Sequence, residues 1–345
     1  MSSNLTLERL VKKYDRQRVG LSIASLSRQV EHSFKEFMRR TLPFGTRKFQ
    51  NVIFCGMGGS ALGADFIRTV YEPWLPVPIH MVSDYHLPAF ANKNSLVILC
   101  SYSGTTEEIL SCFKEARLRR LPSVTITAGG ALARMARRAY TPLFQFTPTY
   151  NPSGQPRIGT GYLMASFYIA LRKTILTKGG FEHLSNVVTK IKPQASTAYA
   201  FAQKVFGKSL VIIGADFLRA NAHIFSNQLN ESAKTFAPFF LLPELDHHLL
   251  EGMGSLRSAR RHWAIVFLDS GAYEPSIKKR VRSTRHVFER QGFATHRISF
   301  SGTRVQQAFS ALSFGGFASY YLALLQHRDP SLIPWVDFLK KRLAH

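Results

Sequence analysis

Two short apolar runs decide what this 345-residue chain can become. Asn51-Val52-Ile53-Phe54-Cys55-Gly56 and Ser209-Leu210-Val211-Ile212-Ile213-Gly214 are too short for core helices and too continuously apolar for strands with one wet face. Each stops at glycine just ahead of a stretch with helical spacing. A run buried on both faces and followed by a helix opens a β-α unit of a parallel sheet covered on both sides. Strands of the same kind are expected at 78–82, 95–100 and 122–127, and after the second opening at 236–242, 263–268 and 295–300. Because the pattern starts twice, the chain reads as a diverged duplication of an α/β domain.

The expected division is an amphipathic helical segment over 1–48, a first α/β domain over 49–155, a helical connector over 156–204 and a second α/β domain over 205–345. Pro43 and Gly45 end the first segment, and the prolines and glycines of 147–161 break both periods ahead of the connector. The last helices are expected at 304–326 and 334–343. The length suits two cores of ordinary size.

With 45% hydrophobic and 19% charged residues, disordered and collagen-like chains are excluded. The opening residues are charged throughout and lack a secretory signal's apolar centre. The apolar stretches 317–325 and 237–243 are well short of the roughly 20 residues of a membrane helix. A cytoplasmic protein without a membrane partner is therefore expected. Cys55, Cys100 and Cys112 lack metal-ligand spacing and read as reduced core thiols, and His247 and His248, being adjacent, would diverge on a regular element; no metal and no cofactor are expected. The balance of 45 Lys and Arg against 21 Asp and Glu, net +24, invites a polyanion partner. The basic residues lie in scattered clusters such as Arg117 to Arg120, Arg137-Arg138 and Lys278 to Arg280, without interleaved aromatics or a nucleic-acid motif. Specific nucleic-acid binding is not expected; a field attracting anionic substrates is.

Gly56-Met57-Gly58-Gly59-Ser60, between strand and helix, lets backbone N–H groups approach an anion at a helix N-terminus. Gly56, Gly58 and Ala61 also satisfy a dinucleotide fingerprint, but Asp84, its acidic partner, comes late. The second loop, Ser101-Tyr102-Ser103-Gly104-Thr105-Thr106-Glu107-Glu108, decides between the two. It gathers small hydroxyls ahead of a helix, which suits a terminal phosphomonoester, whereas a pyrophosphate is held mainly by backbone amides. A capping box of Thr105 with Glu108 would leave Ser101 and Ser103 unexplained.

GMGGS and SYSGTT at this separation resemble the SIS domains of sugar isomerases. Together with Thr127-Ala128-Gly129-Gly130, Pro156-Arg157-Ile158-Gly159, Asn230-Glu231, Glu244-Leu245-Asp246-His247, Asp329-Pro330 and Leu339-Lys340, they are similar to the bifunctional phosphoglucose/phosphomannose isomerase family from about residue 45 to the end. The resemblance implies two SIS domains, each a flavodoxin-like parallel sheet flanked by helices. It implies a hexose 6-phosphate substrate held by Gly59, Ser60, Ser101, Ser103 and Thr106, and a homodimer whose active site lies at the subunit interface.

Interconverting an aldose phosphate and its ketose needs ring opening, proton transfer between C1 and C2, and stabilisation of an enediolate oxygen. Glu231, in an apolar neighbourhood, is the expected base, since a carboxylate lifted toward neutrality suits that proton transfer; the resemblance places the family's glutamate there. His247 is the expected ring-opening acid/base, since imidazole as a group can exchange protons near neutral pH, and the resemblance has it reach the neighbouring subunit's site. Arg157, on a constrained loop, would hold the enediolate with permanent charge. Lys340 matches a lysine tied to ring opening, with Lys341 beside it. The chain departs from the family at His248-Leu249, where Asn-Glu is usual, and at Gly316, where the family has an acidic residue. The alternatives are a SIS-type sensor without chemistry, which would lack an acid/base pair, and a nicotinamide oxidoreductase, which leaves the Ser/Thr loop unexplained.

Overall fold

The computed structural model describes residues 2–176, 179, 182–256 and 259–343. They form two compact units, Ser25–Ile191, and Met1–Ala24 together with Lys192–His345.

In the first unit, β1 (Asn51–Cys55), β2 (Ile79–Val82), β3 (Ser95–Cys100), β4 (Ser123–Thr127) and β5 (Leu143–Gln145) make one parallel sheet in the order β2-β1-β3-β4-β5. This is the flavodoxin-like order. The chain leaves β1 to one side for β2, returns to β3 on the other side and continues outward, so right-handed crossovers put the helix after β1 on one face and those after β3 and β4 on the other. Side-chain alternation then sorts the apolar runs. Ile53, Cys55, Val97 and Leu99 pack with Ile109, Cys112 and Phe113 of helix Glu107–Leu118 and with Leu132 and Ala136 of helix Gly130–Arg138. Phe54 points the opposite way, its ring 4.8 Å from that of Phe167 on the buried helix Thr160–Thr174. All three cysteines are free and buried.

The second unit repeats the plan. β6 (Ser209–Ala215), β7 (Phe239–Leu242), β8 (Trp263–Ser270) and β9 (Ala294–Phe300) are parallel in the order β7-β6-β8-β9, matching β2-β1-β3-β4. Two parallel sheets flanked by helices, with one strand order, are what a duplicated SIS domain requires.

The compact units are cut differently from the segments read along the chain. The region 1–48 is three helices, Ser2–Tyr14, Val19–Ala24 and Leu26–Phe37, shared between the units. Asp15 accepts hydrogen bonds from Val19 N, Gly20 N and Tyr320 Oη, which ties the first helices to helix Arg304–Leu325. Gln29 instead bonds Ile158 O and Gly161 N in the first unit. The region 156–204 likewise divides after Ile191. Helix Arg304–Leu325 is longer than the apolar stretch read inside it; by length and composition it could cross a membrane, and 83% of its apolar window is buried. β5 and helix Gly130–Arg138 were not among the expected elements.

Candidate active site

The glycine loop follows β1 and the hydroxyl loop follows β3. These neighbouring strands send their chains in opposite directions, and the crevice at their carboxyl ends is where open α/β sheets receive ligands. Ser60 Oγ accepts a hydrogen bond from Tyr102 N at 3.3 Å, which joins the two loops.

Within the hydroxyl loop the serines do different things. Ser101, 2% exposed, accepts from Gly104 N at 3.0 Å and lies 2.7 Å from Thr106 Oγ1, so its hydroxyl shapes the turn. Ser103 is exposed, with Oγ 2.9 Å from Thr105 Oγ1. Helix Glu107–Leu118 begins after Thr106, whose side chain makes no capping hydrogen bond, so the Thr105 and Glu108 capping box is not formed.

The third loop explains the paired glycines of 127–130. Gly104 has φ +70°, and a Cβ there would stand 1.9 Å from Gly129 O; Gly130, also at φ +70°, would place one 2.4 Å from Ser103 O. Only glycines allow these two backbones to touch in this conformation. Thr127 Oγ1 holds the far side, accepting from Gly129 N at 3.1 Å.

Arg157 sits on the short turn Pro156–Ile158, with its Cα 3.3 Å from the position of a Cβ at Gly59. It is half-buried, and its Nη1 donates to Gln155 Oε1 at 2.8 Å. Gly59, Ser60, Ser101, Ser103, Thr106 and Arg157 therefore belong to one unit and one strand edge. Sequence reasoning missed Tyr102, whose ring fills the space beside Gly159 and whose phenol accepts from Asn151 Nδ2 at 2.8 Å; burial holds that phenol's pKa above its ordinary value. Its place between two serines disguised it as loop.

Glu231 lies in the second unit, on a π-helical turn, Leu229–Ala233, that extends helix Arg219–Gln228. Such turns recur at functional sites because they break the regular ladder and re-aim side chains. The turn is held at both ends. Asn230 Nδ2 donates to Ser226 O at 2.9 Å and Ala237 O at 3.1 Å. Lys234, left-handed at φ +53°, donates from Nζ to Ser232 O at 3.0 Å and Asp329 O at 2.7 Å. Glu231 lines a cavity of about 560 Å³ with Lys234, Arg328, Asp329 and the start of helix Pro334–Leu343, including Trp335. Lys340 and Lys341 are both exposed further along that helix.

His247 is exposed at the end of turn Glu244–His247. The turn is anchored through Asp246, which accepts from Thr284 Oγ1 at 2.7 Å and Arg280 Nη1 at 3.0 Å. His248 pairs with Glu244 at 2.9 Å, which leaves His247 as the histidine projecting from the turn.

Residues 194–343 match the family model described as the bacterial phospho-glucose isomerase C-terminal SIS domain. A bifunctional phosphoglucose/phosphomannose isomerase of Caldicellulosiruptor bescii is 27% identical over 337 residues, covering 94% of this chain and 98% of its own. Another, of Pyrobaculum aerophilum, is 30% identical over 291 residues, covering 84% of this chain and 85% of its own. The chain belongs to the bifunctional phosphoglucose/phosphomannose isomerase family. Among solved structures, tagatose-6-phosphate ketose/aldose isomerase of Escherichia coli shares the fold, with a TM-score of 0.69 at 19% identity over 91% of this chain and 95% of that one.

In this member of the bifunctional phosphoglucose/phosphomannose isomerase family, Gly316, the position where the resemblance led to the expectation of an acidic residue, packs closely against helix Val19–Ala24. A Cβ there would come 3.0 Å from Ile23 Cγ2, so a side chain would require Ile23 to shift. Leu249 is half-buried at the start of helix Leu249–Gly254.

Proposed function

We propose that this chain is an aldose–ketose isomerase that interconverts fructose 6-phosphate with glucose 6-phosphate and mannose 6-phosphate through an enediolate. The observation that carries this is Glu231 on a cavity wall, on a π-turn fixed at both ends, in a member of this family that also keeps the phosphate loops. The glycine and hydroxyl loops hold the phosphate through Gly59, Ser60, Ser103 and Thr106, with Ser101 shaping the loop. Glu231 moves the proton between C1 and C2, Arg157 steadies the enediolate oxygen, and His247 and Lys340 serve ring opening. Incubating the protein with fructose 6-phosphate and resolving both aldose phosphates over time is the test. Turnover supports the isomerase; binding without turnover would identify a sensor. A substrate this charged does not cross a bilayer unaided, which supports a cytoplasmic enzyme.

The serines should separate experimentally. Ser103→Ala is expected to weaken fructose 6-phosphate binding roughly ten- to hundredfold, since a hydrogen bond to a charged group is worth about 1.5–3 kcal/mol. Ser101→Ala should instead lower the denaturant midpoint, because it strips the acceptor from Gly104 N. Titration calorimetry and urea unfolding of both variants check this; the reverse pattern would exchange the two assignments.

We also propose a homodimer in which His247 serves the partner's site. Glu231→Gln and His247→Ala would each be inactive, yet their heterodimer would hold one intact site. Random mixing makes about half of the dimers heterodimers, hence about a quarter of wild-type activity. Co-refolding the two variants with confirmed subunit exchange and finding no recovery would place His247 in its own chain's site or outside catalysis.

A further inference from the structure

The charge excess has a focus. Helix Pro275–Arg290 buries Val281, Thr284 and Phe288, one inward stripe at helical spacing. At about 100° per residue, the opposite side is Lys279, Arg282, His286 and Arg290, a straight row about 16 Å long. All four are exposed, and none has an acidic partner among the described residues. The helix's ion pairs lie elsewhere, Arg280 with Asp246 and Arg285 with Glu289. Beyond the helix end the row continues, since a Cβ at Gly292 would come 2.8 Å from Arg260 Nη1. Three permanent cations and a histidine thus stand along one helix, with Arg260 of the turn Arg260–His262 beside its end, at repulsive cost to one another when nothing negative faces them.

We propose that this row is a docking surface for the phosphodiester backbone of nucleic acid, bound without regard to sequence. A second copy is disfavoured as occupant because a two-fold contact would set the same cations against each other. A membrane surface is disfavoured because the row offers no apolar side chain to insert. The linear spacing and the guanidinium forks suit a regularly charged strand, and the absence of aromatic side chains removes base stacking as a source of preference. None of the row's residues lines the cavity that holds Glu231.

The test is fluorescence anisotropy of the full chain with a labelled DNA duplex of about 20 base pairs, titrated between about 50 and 200 mM salt. Four cations at about −0.9 each predict a slope of log K against log salt of about −3.6, a loss of about a hundredfold over that range. The variant Arg260→Gln, Lys279→Gln, Arg282→Gln, Arg290→Gln should lose at least about tenfold and most of the slope while keeping isomerase turnover. A control, Lys114→Gln, Arg117→Gln, Arg134→Gln, Arg138→Gln, removes the same charge from exposed positions of the other unit and should bind nearly as wild type. Arg282→Lys with Arg290→Lys keeps the charges and should also bind. Equal losses in both quadruple variants would mean that total charge, not the row, holds the duplex, and would overturn the proposal. So would no binding at the lowest salt, tighter binding to phosphatidylserine vesicles, or displacement by polyglutamate at equal charge.

Discussion

Replacing Glu231 by glutamine is expected to lower kcat for fructose 6-phosphate by about three decades and leave KM within a few-fold. Glutamine keeps the shape and the hydrogen-bonding reach of the side chain but cannot take up the proton between C1 and C2. Asn230 and Lys234 fix the turn through bonds that do not use the Glu231 carboxylate, so the cavity wall stays in place. The glycine and hydroxyl loops proposed to hold the phosphate lie in the other compact unit. Steady-state kinetics with both aldose products resolved checks the first half, and calorimetric binding the second. A fall of less than tenfold would remove Glu231 as the base; a large rise in KM with little change in kcat would make it a binding residue.

Gly104→Ala is expected to act on the other side of the reaction, raising KM tenfold or more while kcat changes little. Two costs combine. A non-glycine residue in the left-handed region loses about 1 kcal/mol or more. The new Cβ also meets Gly129 O at 1.9 Å, so the hydroxyl loop must move off the loop beside it. That displacement breaks the Gly104 N to Ser101 Oγ bond and carries Ser103 away from the strand edge. A decade in KM corresponds to about 1.4 kcal/mol, less than the two costs together. An unchanged KM would mean the loop's shape is irrelevant to substrate binding.

How much of this was legible follows from the range over which each signal acts. β1, β3 and β6 could be read because each is a continuous buried run closed by a turn, and their loops because glycines and hydroxyls are concentrated there. β5 could not, because Leu143-Phe144-Gln145 is too short to carry a period. Ser101 and Ser103 are the same residue type in sequence; Ser101 is buried against Gly104 N and Thr106 Oγ1, while Ser103 is exposed beside Thr105, contacts that no local pattern announces. The division of the first helices between units rests on Asp15 meeting Tyr320 and Gln29 meeting Gly161, pairings across more than a hundred residues that no local pattern announces. The π-helical turn carrying Glu231 leaves no mark in Leu229-Asn230-Glu231-Ser232-Ala233 that would distinguish it from ordinary helix.

With Glu231 as the proposed base, that turn makes chain length, as well as composition, a condition of catalysis. A π-helical turn houses one residue more than the α-helix around it. Deleting one residue of this turn ahead of Glu231 would restore regular pitch and swing the carboxylate by about 100° away from the cavity. Asn230 and Lys234 pin the two ends to Ala237 and Asp329, so neighbouring backbone cannot rotate to absorb the change. A relative with a one-residue gap at this place could retain its glutamate, its glycines and its serines and still be catalytically silent, and the gap alone would mark it.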